Sequence, residues 1–173
     1  AEDISDFDIV LVKRQKIFSQ DPNTVFQLAL KVVEGSNAGG VTPVVKHFPG
    51  LGRARYDTHT CLPKINVSKK ELYATDLLPF KKLIEENVNF WIMVDHAIYP
   101  CLDNKPASLS SKIQTDVLRR ELGFGGIIMV DELLNMQAIK EYAFQKEIRG
   151  PYIGKIVAMA FQAGADIAIV YPL

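Results

Sequence analysis

Five short apolar runs rich in valine and isoleucine constrain this chain most: FDIVLV (7–12), VTPVV (41–45), NFWIMV (89–94), GIIMV (126–130) and DIAIVY (166–171). Runs of this length and composition read as buried strands. Longer amphipathic segments lie between them. Asp21-Pro22 offers an N-cap and a proline at the first helical position, for a helix reaching about residue 35. Ser68-Lys69-Lys70-Glu71 is a capping box ahead of a helix to about residue 86. Further helices are expected over about 110–122, ended by Gly123, and over about 133–144 and 152–163, with Gly164 as the stop. Strand, helix, strand repeated along a chain means βαβ units and a parallel sheet. Two closures remain open at this point. A complete (β/α)₈ barrel takes at least ~200 residues, and 173 residues fit either a small doubly wound domain or most of a barrel lacking its first strands.

Composition narrows the partners. Twenty basic residues balance twenty acidic ones with no basic run, which argues against nucleic acid or an anionic membrane surface. No apolar run approaches the roughly 20 residues of a membrane span. Cys61 and Cys101 allow at most one disulfide, and two free thiols in a reducing compartment are the simpler expectation. The chain starts at Ala1 rather than Met, so removal of an original N-terminus is also expected.

Ionisable residues cluster where the strands end. Lys46-His47 follows the second run, Asp95-His96 the third and Asp131 the fourth. These are the C-terminal ends of parallel strands, the face on which α/β folds assemble active sites. Each Asp alone could equally be the N-cap of the next helix. Residues 46–63, KHFPGLGRARYDTHTCLP, add Asp57 and His59 on a segment whose glycines and prolines exclude a regular element. Residues two apart in an extended loop face the same side, so Asp57 can hold the His59 imidazole as a general acid or base. A solvated histidine beside an aspartate is the alternative. Metal is not expected, since no histidines stand at i, i+4 and no Cys-x-x-Cys occurs. A nucleotide loop and a Gly-x-Ser-x-Gly elbow are likewise absent from the sequence. An ionised carboxylate at Asp131 could attack an electrophilic carbon, with Lys46 the leading candidate to keep it charged.

The stretches KHFPGLG, YDTHTCLP and PASLSSKIQTDVLRRELGFGGIIMVDELLNM resemble the bacterial β-N-acetylglucosaminidases (β-hexosaminidases) of glycoside hydrolase family 3. FSQDP (18–22) and AFQAGADIAIVYP (160–172) fit the same pattern, so the resemblance runs from about Lys16 onward. It implies an α/β fold of the parallel (β/α)₈ type, of which this chain holds about five strands in one incomplete catalytic domain. It implies a retaining exo-β-N-acetylglucosaminidase acting on GlcNAc-containing cell-wall-type fragments, cytoplasmic, with no cofactor. Asp131 would be the nucleophile, His59 the acid/base and Asp57 its holder. Lys46, His47, Lys16 and His96 would bind or border the sugar. The loop would be a mobile flap. The expected partners are the saccharide and the N-terminal barrel segment that this chain lacks. The sequence departs from the family pattern at Leu51, where a His is usual, at Lys16 in place of an Arg, and at Val130 in place of a Ser. The interval from Asp131 to Met136 is also one residue longer than usual. A phosphorylase and an inactive sugar-binding remnant are the alternatives.

Overall fold

The computed structural model describes residues 17–148 and 151–171. The run at 7–12 and Lys16 lie outside the described residues. Helix α1 spans Pro22–Ala38, and the Asp21 carboxylate accepts from the Thr24 N–H at 2.7 Å at its start. The helix passes the expected stop at Gly35 and ends at Gly39, because Gly35 has open space around it and its carbonyl accepts from the Gly39 N–H. Strand β1, Val44–Phe48, follows. It starts later than expected since Pro43 has no N–H for a ladder.

The single helix expected after Ser68 is two. Helix α2 is Lys69–Ala74 and α3 is Leu78–Glu85. A proline in a helix removes one N–H and crowds the carbonyl four residues back; Pro79 would do this to Thr75, and the chain turns there instead. Ser68 does cap α2, accepting from the Glu71 N–H at 3.1 Å. Glu71 turns its carboxylate to Arg53 at 2.9 Å, so the reciprocal half of the capping box is spent on a tertiary contact. Strand β2 is Trp91–Val94. Helix α4, Lys112–Glu121, has the wider π-type winding, continued by the Leu122 N–H bonding the Val117 carbonyl. Strand β3 is Ile128–Val130, α5 is Gln137–Gln145 and α6 is Tyr152–Ala163. Gly164, at φ 119°, stops α6 before β4, Ile167–Ala168. No helix among the described residues is long and apolar enough to cross a membrane.

The four described strands form one parallel sheet in the order β1-β2-β3-β4. A doubly wound sheet reverses its strand order at a switch point; this sheet runs in sequence order throughout, as successive barrel strands do. Val94, Ile92, Ile128 and Val130 are fully buried, and Leu83, Ile113, Leu118, Ile139 and Ile156 pack the helical layer. Each such side chain contributes about 1.5–3 kcal/mol by leaving water. The ladder continues past the strands: Asp95 N–H bonds the Phe48 carbonyl at 2.9 Å and Asp131 N–H bonds the Val94 carbonyl at 3.2 Å. Three strand ends therefore lie side by side.

Candidate active site

Strand β1 breaks its alternation just where its polar residues stand. Lys46 pairs with Met93 but Phe48 with Val94, leaving His47 as an inserted residue in a bulge. A bulge re-aims side chains, and here Lys46 and His47 both line a groove of about 760 Å³ with Arg53, Asp76 and Phe80. His47 Nε2 lies 3.7 Å from Asp131 Oδ2. That separation is too long for a hydrogen bond but becomes an ion pair when the ring is protonated. The cation expected beside Asp131 was Lys46; the bulge puts His47 there and leaves Lys46 exposed in the groove. The Asp131 side chain is one-quarter exposed, and its Oδ1 accepts from the Glu132 N–H at 2.8 Å.

The loop after β1 is fastened before it reaches its histidine. Gly50 has φ 146°, and a Cβ there would sit 2.7 Å from that of Asp76, so no other residue fits without displacement. Arg53 Nε donates to both Asp76 oxygens at 3.1 and 2.8 Å, and its Nη2 donates to Thr75 Oγ1 at 2.9 Å. Arg55 and Tyr56 are then exposed. Asp57 Oδ1 accepts from the His59 N–H at 3.0 Å and lies 2.7 Å from His59 Nδ1. A carboxylate there fixes the proton on Nδ1 and leaves Nε2 outward. Thr58 is buried, its carbonyl accepting from the Ala138 N–H at the head of α5, and the Leu62 N–H donates to Glu141 at 2.8 Å. The Asp-x-His spacing thus forms the expected pair, on a side chain of His59 that is 66% exposed.

His96 was expected to border the sugar, and the structure turns it inward: it is 1% exposed. Its Nε2 lies 2.9 Å from the Glu132 carbonyl, which accepts only, so Nε2 carries the proton. Nδ1 then accepts from the Ser108 hydroxyl at 2.8 Å. Burial pushes the imidazole down to about 4, against opposing attraction from Asp131. Asp95, equally buried, accepts from Tyr99 Oη–H at 2.5 Å and the Ala97 N–H at 2.8 Å, and burial raises its carboxyl well above the usual range.

Glu132, Ser108 and Arg53 escaped the sequence reading. The signal for Glu132 was its place directly after Asp131 at a strand end; Ser108 and Arg53 carry no local signal, because their partners are distant in sequence.

Residues 10–172 match the glycosyl hydrolase family 3 N-terminal domain. The chain belongs to glycosyl hydrolase family 3. Within the family, the beta-hexosaminidase of Tolumonas auensis is 44% identical over 116 residues, which are 67% of this chain and 35% of that protein. The solved family 3 beta-N-acetylglucosaminidase of Paenibacillus sp. superposes with a TM-score of 0.80 at 31% identity, over 91% of this chain and 28% of that one. NagZ of Neisseria gonorrhoeae, solved with N-trifluoroacetyl-D-glucosamine, superposes with a TM-score of 0.77 at 32% identity, over 92% of this chain and 43% of that one. The chain spans less than half the length of each of these relatives.

Proposed function

We propose that this chain carries the nucleophile and acid/base of a retaining exo-β-N-acetylglucosaminidase that hydrolyses terminal β-linked GlcNAc from cell-wall-type fragments. The carrying observation is the pair of separate carboxylates: Asp131 on a strand end beside His47, and Asp57 bonded to His59 on the adjoining loop. The similarity to beta-hexosaminidases supports the sugar class. Asp131 attacks the anomeric carbon and forms a glycosyl ester while His59, oriented by Asp57, delivers a proton to the leaving oxygen. Water then attacks the ester as His59 takes its proton back. His47, 3.7 Å from Asp131, and its neighbour Lys46 bind sugar hydroxyls; Lys16 is a further sugar contact on the family pattern.

The remaining strands of a (β/α)₈ barrel are proposed to pack against β1, whose outer edge pairs with no other strand among the described residues and where Val44 is exposed. A sheet edge left bare exposes unpaired backbone groups. We further propose a cytoplasmic location, a reading that the two cysteines without a disulfide support. Phosphorolysis remains the nearest alternative chemistry, because a histidine acid/base repels an incoming phosphate less than a carboxylate does.

A mechanism-based fluorosugar applied to the full-length protein, followed by peptide mapping, is expected to label Asp131. Labelling at Asp57 or Asp95 would overturn the assignment. Products formed with and without inorganic phosphate decide between hydrolysis and phosphorolysis: free GlcNAc in both supports the proposal, and GlcNAc phosphate refutes it.

A further inference from the structure

Resting on the reading of Asp131 as the nucleophile, we propose that Glu132, His96 and Ser108 are positioning residues that together hold the Asp131 carboxylate in its attacking orientation. A reacting group at a strand end needs placement to about 0.5 Å, which its own strand cannot supply beyond the last ladder bond. Asp131 Oδ1 takes the Glu132 N–H, so its orientation is only as definite as the backbone of residue 132. That backbone lies in an irregular stretch between β3 and α5, where the N–H groups of Leu134 and Asn135 have no ladder or helix partner.

Glu132 satisfies them itself. Its carboxylate, in a residue 7% exposed, accepts from the N–H groups of Leu134 at 2.8 Å, Asn135 at 2.6 Å and Tyr171 at 3.3 Å. Two bonds fold the stretch back on itself, and the third fastens it to the chain after β4. The Leu133 N–H adds a bond to the Ile169 carbonyl at 3.1 Å. From the other side His96 donates to the Glu132 carbonyl, and the fully buried Ser108 fixes the ring that donates. Ser108 is in turn bonded through its N–H to the Asp95 carbonyl at 2.9 Å. Residue 132 is thereby pinned from the end of β2, the segment before α4 and the chain beyond β4. The burial that keeps His96 neutral suits this use: a neutral imidazole donates one directed bond without adding a positive charge near Asp131.

The test compares His96→Ala, His96→Gln and Ser108→Ala in the full-length protein, reading the rate of fluorosugar labelling and the affinity for GlcNAc separately. A glutamine amide can replace the Nε2–H donor; alanine cannot. His96→Ala is expected to slow labelling by about 10–100-fold, the scale of a small misplacement of a reacting group, with GlcNAc affinity changed less than about 3-fold. His96→Gln should recover most of that loss. Ser108→Ala should slow labelling by about 5-fold, on the order of one neutral hydrogen bond, and decides the question if His96→Ala does not fold. Equal losses of affinity and labelling, no recovery in His96→Gln, or an unchanged rate in Ser108→Ala would each overturn the proposal. Failure of the unmodified protein to label at Asp131 would instead overturn the functional reading beneath it.

Discussion

Residues 131–136, after β3, and residues 54–61, after β1, both carry candidate chemistry, but their polar atoms are satisfied in different ways. After β3 local bonds from Glu132 to Leu134 and Asn135 are joined by partners distant in sequence, the buried His96 and the Ile169–Tyr171 backbone beyond β4, and Leu133 is fully buried. After β1 the bonds are mostly local, Asp57 serving His59, Thr60 and Cys61, with long-range anchors at Arg53, Thr58 and Leu62. A group that attacks carbon gains from rigid placement, whereas an acid that follows a leaving group needs room to approach. The loop's glycines do not loosen its start, since Gly50 and Arg53 are clasped to Asp76. Any movement of the flap is therefore predicted to concentrate in 55–57, where Arg55 and Tyr56 are exposed ahead of the buried Thr58.

The sharpest break in the comparison is Asp131→Asn. It keeps shape and removes the attacking charge, so kcat of the full-length protein should fall at least ~10³-fold, about 4 kcal/mol of barrier. Steady-state kinetics with an aryl β-N-acetylglucosaminide measures it, and a loss below 10-fold would remove Asp131 from the chemistry.

Acid should unsettle the buried region next. Burial holds His96 near 4 rather than 6.5, so between those values the unfolded chain binds more protons than the folded one. Stability then falls as pH drops from about 6.5 towards 4, by up to about 3 kcal/mol. Asp95, raised by burial, acts with the opposite sign. The measurement is therefore the difference in urea unfolding between the protein and His96→Gln, in which Asp95 is unchanged. The variant should lose less stability on acidification, and parallel curves would contradict the buried neutral ring.

His59→Ala tests the loop. Turnover of substrates with poor leaving groups should drop on the order of 10²-fold, the low end for a general acid, while activated aryl glycosides, which need no proton, should lose little in the glycosylation step. Equal losses would mean that His59 does not act as the acid. The smallest effect belongs to Tyr56, 65% exposed. Tyr56→Ser should change stability by no more than about 0.5 kcal/mol, and amides at 55–57 should exchange with deuterium well before those at 92–97. Equal protection would erase the contrast between the two regions.

Local patterns are legible in the sequence alone. Asp21-Pro22 started a helix, Ser68 capped another, Gly164 stopped a third, and the Asp57–His59 pair followed from spacing two residues apart. The apolar runs located four strands and implied their parallel pairing, and Asp95 and Asp131 marked the ends of β2 and β3, whereas Lys46 and His47, expected just past the second run, lie within β1. Each of these depends on interactions within a few residues or on a period set by the backbone itself. What the tertiary structure decided depends on groups far apart in sequence. The bulge in β1 placed His47, not Lys46, beside Asp131, and packing drew His96 inward onto Ser108 and Glu132. A buried polar group must find its partner wherever the fold brings one, so His47, within β1, lines the groove while His96, after β2, is buried against Ser108 and Glu132.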